Sequence, residues 1–226
     1  MRKMATGFTD VPINWTSSAS QSFHVPIACL MVLNCAGGVD KYVEQDRLRL
    51  QMWLNGPSFS GMISQVFVPK HGIQDAKVAA AVWVMPGTYD VSLVWCSEIG
   101  VNGSVSFDFK GGPLLIEDNN KALGLNMRNA AARCECLLHF AQPRTVDVKS
   151  RFMTDSLTDW AKIDVDFRAV PSGAVQPYST GQVLDGDLIL NLTSIPLDQS
   201  GSGSTIVSIV PTNHDGVGRF LEVDVS

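Results

Sequence analysis

The feature that most constrains the fold of this chain is an alternation of apolar and polar residues with a period of two. It is clearest over residues 133–152, where two alternating segments are joined at residues 141–144. Successive side chains of a strand point to opposite faces of a sheet, so the pattern predicts strands with one buried and one wetter face. The first segment is predicted to bury Cys134, Cys136, Leu138 and Phe140 and to direct Arg133, Glu135, Leu137 and His139 to the wetter face.

The same alternation recurs along the chain between turn signals such as Asn55-Gly56-Pro57 and Pro86-Gly87. Residues 78–85 form the longest apolar run and fit either a helix or a strand, and residues 119–132 are the best place for a short helix or a long loop. Further strands are predicted over residues 23–33, 47–54, 62–68, 89–96, 104–110, 162–169, 187–192, 205–210 and 220–225.

Many short strands with almost no helical pattern predict an all-β fold, either a β-sandwich, a jelly roll or a closed barrel. The strands do not alternate with helices, so a parallel α/β sheet is not expected. A chain of 226 residues buries roughly 70% of its unfolded surface. We therefore expect a single domain over residues 1–226 that needs neither a metal nor a disulfide to fold.

The charge balance limits the classes of partner. Lys and Arg number 17 and Asp and Glu number 22, which gives a net charge of -5. This is a poor overall match to a protein that binds nucleic acid or an anionic membrane by neutralising phosphates. Charged residues make up only 17% of the chain, against about 25% in an ordinary soluble domain. Both a surface covered by neighbours in an assembly and a large β-rich core fit that low fraction.

The cysteines and the start of the chain bear on its compartment. The first residues lead into polar sequence instead of the apolar stretch of a signal peptide, and an apolar run of eight residues is too short to span a membrane. A reducing, cytosolic compartment is therefore expected. The cysteines are odd in number and mostly lie in apolar strands, where a free thiol acts as a small hydrophobe: Cys29, Cys35, Cys96, Cys134 and Cys136.

Residues with catalytic or metal-binding chemistry do not form a recognisable motif. Cys134 and Cys136 share a strand face, but His139 has the opposite parity and is predicted to point away from them. Because a structural zinc site needs four ligands, these three residues are expected to be structural. His24, His71 and His214 are scattered. We expect no catalytic residue, no metal and no cofactor, and we expect that the chain is not an enzyme.

Carboxylate pairs and tryptophans are the remaining candidates. Asp164 and Asp166 alternate on the predicted outward face of a strand, and the pair Asp185 and Asp187 fits a turn. Arg2-Lys3 could touch RNA phosphates or form a solvated terminus. Among the tryptophans, Trp95 fits the core, and Trp53, on the charged face of its strand, is expected at an interface or ligand surface.

The order of these segments resembles a known family. Trp15 is followed by FHVPIACLMVLN, RLRLQMWLNG, AVWVMPGTYDVSLVW, GSVSFDFKGG and LLHFAQPRTVDVKSRF. This ordered set resembles a capsid protein of the plant picorna-like viruses, the comovirus, nepovirus and cheravirus group, over about residues 8–155, and its order of strands is similar to that of the small capsid proteins of comoviruses. The shared features include a strand–Pro–Gly–strand element and a closing strand pair joined through a Pro-Arg turn.

The resemblance implies an antiparallel, eight-stranded jelly-roll β-sandwich with short helices or loops. Residues 1–10 would be an N-terminal arm and residues 8–155, approximately, the core sandwich. Residues 156–226 depart from the family pattern. They are expected to be a C-terminal β-rich extension or, if the strand alignment is shifted, the true last strands.

The function implied by the resemblance is structural. Such proteins assemble with copies of themselves and with sister capsid proteins into an icosahedral shell around single-stranded RNA. The acidic balance suggests that this subunit contacts RNA weakly or indirectly, and no membrane partner is expected. The implied locations are the virion and, during assembly, the host cytoplasm. A carbohydrate-binding β-sandwich module that uses Trp53 is the alternative, and a cupin-like or hydrolytic β-sandwich enzyme is a third hypothesis.

Overall fold

The computed structural model describes residues 15–39, 48–68, 74–97, 104–117, 121–128, 133–153, 160–180, 183–184, 187–197, 203–213 and 219–226. These residues form seventeen strands and no helix. The strands are β1 (Trp15–Val25), β2 (Cys29–Val39), β3 (Arg49–Asn55), β4 (Ser60–Phe67), β5 (Gln74–Val84), β6 (Gly87–Ser97), β7 (Val105–Asp108), β8 (Leu114–Ile116), β9 (Leu125–Met127), β10 (Cys134–His139), β11 (Arg144–Met153), β12 (Trp160–Val170), β13 (Val175–Ser179), β14 (Val183–Leu184), β15 (Asp187–Leu197), β16 (Ser204–Asn213) and β17 (Arg219–Val225).

Two sheets hold these strands. The larger follows the order β1-β6-β3-β4-β10-β16-β12-β13, with β14 also on β12. The larger sheet forks at β10. The start of β10 pairs antiparallel with β4, and the end of β10 pairs parallel with β5. Strand β5 also pairs with β2, which in turn pairs with β7 and β8. The smaller sheet follows the order β15-β11-β17-β9. A single bridge between Lys77 and Arg128 connects β5 to the residue after β9.

The predicted fold class is confirmed: the chain is all-β, with its sheets in a nearly closed, jelly-roll-like sandwich. Strand β11 illustrates how the sequence produces it. Val146, Val148 and Phe152 are buried, whereas the intervening Asp147, Lys149 and Arg151 are exposed. Because the buried residues of both sheets belong to one hydrophobic cluster, the smaller sheet closes over the same core as the larger.

The predicted strand over residues 23–33 is wrong as a single element. The chain instead forms β1 and β2, with a break at residues 26–28. Pro26 explains the break, because proline has no N–H group to donate to a strand ladder. Two consecutive strands in different parts of the sandwich replace one central strand.

The prediction for residues 119–132 is a short helix or a long loop, and within residues 121–128 the chain is irregular apart from the three-residue strand β9. The ambiguous run at 78–85 belongs to β5 and is a strand. Its side chains include Val78, Ala80 and Val82, all fully buried. The described strands outnumber the expected eight, and some of the additional strands, such as β7, β8 and β9, are short strands at sheet edges.

The C-terminal strands are built into the sandwich. Strand β16 lies between β10 and β12 in the larger sheet, and β15 and β17 flank β11 in the smaller. Ile209 and Val225 are fully buried in the common core. The C-terminal strands therefore contribute to the same core as the rest of the described chain.

Candidate functional site

A row of polar residues crosses the larger sheet at one level. Gln51 of β3 is opposite Gln65 of β4, and Gln65 is opposite Glu135 of β10. Glu135 is in turn opposite Ser208 of β16, and Ser208 is opposite Asp166 of β12. Residues in lateral register project from the same face of a sheet, so five strands contribute to one polar layer.

Glu135 is the centre of this layer. It is 1% exposed, and its Oε2 accepts a hydrogen bond from Nε2 of Gln65. Its Oε1 accepts from Ser208 Oγ at 3.4 Å and from Arg133 Nη1 at 3.5 Å. A buried carboxylate is tolerated when its oxygens are hydrogen-bonded and a cation lies close, and both conditions are met here.

A directed chain of donors leads to that carboxylate. Trp53 Nε1 donates to Gln51 Oε1 at 3.2 Å, and Gln51 Nε2 donates to Gln65 Oε1 at 3.4 Å. Gln65 then donates to Glu135. Cys96 Sγ also donates to Gln51 Oε1, at 3.4 Å. Each donor is matched to an acceptor, which fits a network that fixes strand register.

The prediction that the polar faces of β3 and β10 meet water is wrong, because these faces are buried. Arg49 is 2% exposed, Gln51 4% and Glu135 1%. Alternation correctly separates the two faces, but it does not tell whether the polar face meets water. The presence of Leu137, fully buried on the polar side of β10, is the one signal in the sequence that could have indicated cover on that side.

Trp53 is half-buried at the border of this network. Its indole N–H is bound to Gln51 and is not offered to a ligand. Trp95, in contrast, is fully buried, as predicted, and its Nε1 donates to the carbonyl oxygen of Ser106 at 3.3 Å. The carbohydrate-binding role of Trp53 stays a prediction.

The cysteines are buried and free. Burial raises the pKa of the Cys35 and Cys136 thiols to about 12, with nearby Asp108 and Glu135 respectively adding to the rise. Burial also raises the pKa of Cys96, although the Arg49 guanidinium beside it partly offsets the effect. Since the thiolate is the reactive form, these thiols are unsuited to nucleophilic chemistry at neutral pH.

His139 lies apart from the Cys134 and Cys136 thiols. Both cysteines are fully buried, while His139 is half-buried and its Nδ1 hydrogen-bonds Ser204 Oγ at 2.9 Å. Within the described ranges, no group of three or more His, Cys, Asp or Glu side chains is arranged to hold a metal ion.

The remaining predicted candidates are the carboxylate pairs, His71, His214 and the basic N-terminus. Asp164 is half-buried and pairs with Lys162 Nζ at 2.8 Å, which is a structural role. Arg2-Lys3, His71, His214 and the Asp185 half of the second carboxylate pair lie outside the described residues. In the part of the chain that the structure describes, nothing helical is long and apolar enough to cross a bilayer.

Arg144, in the joint between β10 and β11, anchors the turn that contains it. Its guanidinium carbon is 5.0 Å from the centroid of the Phe140 ring, a cation–π contact. Its Nη2 donates to the carbonyl oxygen of Lys121 at 3.0 Å. Burial lowers the pKa of this arginine from its ordinary value. The joint therefore connects the two sheets to the segment before β9.

One end of the sandwich carries exposed apolar side chains on rigid turns. The break at residues 26–28 lies beside the β5–β6 turn, because Cys29 is opposite Val84 and Val25 is opposite Gly87. Ser58 Oγ accepts from the Met85 backbone N–H at 3.1 Å and brings the β3–β4 turn to the same place. Ile27 is 44% exposed and Met85 51%. We call this surface, made of residues 26–28, 56–58 and 85–87, the proline-rich end, after its exposed Pro26, Pro57 and Pro86.

Comparison with known proteins adds little to this description. No family model matches the chain, and no curated protein does. Among solved structures, the chain is similar to the 7S globulin of Momordica charantia, with 9% sequence identity over 88% of this chain and 75% of that one. The TM-score is 0.15, too low for the likeness to support any argument about fold or function.

Proposed function

We propose that the chain is a structural subunit of a non-enveloped, icosahedral plant virus capsid of the picorna-like group. In this proposal it assembles with sister capsid proteins around single-stranded RNA. The observation that carries it is the order of the segments that resemble that family. They fall, in sequence, on β1 and β2, on β3, on β5 and β6, on β7, and on β10 and β11 of one jelly-roll-like sandwich.

The surface of the proline-rich end supports this proposal. Ile27 and Met85 are exposed on turns whose prolines restrict the backbone. A rigid apolar surface loses little conformational entropy when it is covered by another protein. Subunits of a closed shell need such contacts in many identical copies. We propose that this end packs against neighbouring capsid proteins.

The electrostatics fit a shell component whose contact with RNA is weak or indirect. The net charge is -5, and two of the described cations, Arg49 and Arg133, lie at the buried polar layer. RNA neutralisation in the particle would then come mainly from other capsid segments or from bound cations.

The test is to co-produce the full chain with candidate sister capsid proteins and to sediment the product through a density gradient. The proposal expects fast-sedimenting particles that contain this chain and nuclease-protected RNA. Ile27→Asp and Met85→Asp should each abolish those particles while the chain remains folded. Ile189→Asp is the matched control, because Ile189 is 56% exposed on β15 of the other sheet, and it should still assemble.

If particles form equally well with Met85→Asp, the proline-rich end does not pack against neighbouring capsid proteins. A chain that stays monomeric beside its sister proteins, with no protected RNA, would contradict the capsid function itself.

A further inference from the structure

Strand β1 forms one edge of the larger sheet, and its exposure differs from that of the interior strands. On one side it pairs with β6 over all eleven residues, from Trp15 opposite Ser97 to Val25 opposite Gly87. No strand among the described residues pairs with its other side. Every residue from Trp15 to His24 is exposed or half-buried, as expected of a strand at a sheet edge.

This edge lacks the features by which proteins usually prevent strand pairing. A charge, a proline, a bulge or a very short strand normally protects an exposed edge. Strand β1 has eleven residues, no Asp, Glu, Lys, Arg or Pro, and no register shift against β6. Its sequence is WTSSASQSFHV.

The other described edges are protected. Strand β13, at the opposite edge of the larger sheet, has five residues with Pro177 in its middle. Strand β15, at the edge of the smaller sheet, contains Asp187 and Pro196 and has a register shift against β11. Strands β7 and β8, on β2, have four and three residues.

We propose that β1 pairs antiparallel with β1 of a second copy of this chain, so that the larger sheets of two copies become continuous. An antiparallel pair of identical strands has a twofold axis, so the same edge serves both copies. This inference does not rest on the capsid proposal, since it follows from the edge alone.

The sequence of β1 is complementary to itself in one register, with the axis at Ala19. On the core-facing side, Trp15 is then opposite Phe23 of the second copy, and Ser17 is opposite Gln21. Trp15 and Phe23 are both half-buried at the margin of the hydrophobic core. Aromatic pairs directly across an antiparallel ladder are stabilising. They would close both ends of the new interface.

The outward side of the same register is uncharged and polar. Ser18 is opposite Ser20 of the second copy, and Thr16 is opposite Ser22. These four residues are exposed, and Ser20 and Ser22 already bond to Ser92 and Asp90 of β6. Hydroxyl pairs across strands are compatible with pairing, and no like charges oppose it.

The test measures the mass of the full chain in solution by light scattering over a range of concentrations. The native chain is expected to dimerise. Ser18→Lys/Ser20→Lys places like charges opposite each other twice and should raise the dissociation constant at least about tenfold. Ser18→Glu/Ser20→Glu should do the same, whereas an equal mixture of the two variants should recover the dimer.

The matched control is Asn191→Lys/Thr193→Lys, with the same spacing on exposed positions of edge strand β15, and it should dimerise like the native chain. A second measurement avoids added charge: Ala19→Cys should cross-link two copies under oxidised glutathione, because the Ala19 side chains lie opposite each other at the axis. The five native thiols are buried.

A native chain that is monomeric at every concentration would overturn the proposal. A lysine variant that dimerises normally, or a β15 control that fails to dimerise, would overturn it as well. The result is separable from the capsid test. If the chain dimerises through β1 but never forms particles, only the capsid function is contradicted. If particles form and the β1 variants do not affect them, only the β1 pairing is contradicted.

Discussion

A carboxylate that is 1% exposed needs hydrogen-bond donors, and Glu135 receives them from Gln65, Ser208 and Arg133. Gln65→Leu removes the hydrogen bond that Gln65 donates to Oε2 of this buried carboxylate. We expect a loss of about 2 kcal/mol in the free energy of unfolding, measured by urea denaturation. Glu135→Gln, which keeps the shape and removes the charge, should partly rescue the Gln65→Leu variant. No rescue would contradict the assigned network.

The buried thiols make the stability of the folded chain depend on pH. The pKa of Cys35 and Cys136 is raised to about 12 in the folded chain from an ordinary value of 9.0. The folded state therefore holds these protons more tightly than the unfolded state. The associated stability is fully present below about pH 9 and is lost as pH rises toward 12.

The check is urea denaturation at pH 7 and pH 10. At pH 10 each of these two thiols should lower the free energy of unfolding by about 1.4 kcal/mol relative to pH 7. Cys35→Ala/Cys136→Ala should flatten this part of the pH dependence, although it lowers stability at both values. An unchanged slope in the double variant would show that other groups are responsible.

At the scale of elements, the turns of the proline-rich end are tightly packed. A Cβ at Gly56 would lie 2.1 Å from Cδ1 of Tyr89, a ring that is fully buried. Tyr89 is fixed by its hydroxyl, which donates to the Met85 carbonyl oxygen at 2.8 Å. Gly56→Ala should therefore lower the free energy of unfolding by about 1–3 kcal/mol. In a double-mutant cycle with Tyr89→Leu the two losses should be less than additive, since the smaller side chain makes room.

The same elements show what the sequence could and could not predict. Alternation over β11 gave the correct buried residues, because one of its faces meets the core and the other meets water. It failed for the polar sides of β3 and β10, because a period of two identifies faces but not what covers them. The break at Pro26 has a local signal, the proline itself, whereas the edge position of β1 depends on tertiary pairing, which no local pattern contains.

For the whole molecule, the position of β15, β16 and β17 predicts that the C-terminal part is required for folding. Removing residues 156–226 would take away β12 to β17, so that β10 loses its neighbour β16 and β11 loses both of its neighbours, β15 and β17. A chain of residues 1–155 should show no cooperative thermal unfolding. The test separates the two alternatives for this region, since a decorated jelly roll would unfold cooperatively without it.

In the proposed particle, copies of the sandwich form a closed shell. The most direct measurement is electron cryomicroscopy of particles from co-production with sister capsid proteins. We expect icosahedral particles with about 60 copies of this chain, each visible as a two-sheet sandwich whose proline-rich end contacts a neighbour. Uniform material containing only free monomers or dimers, with no closed particles, would contradict it.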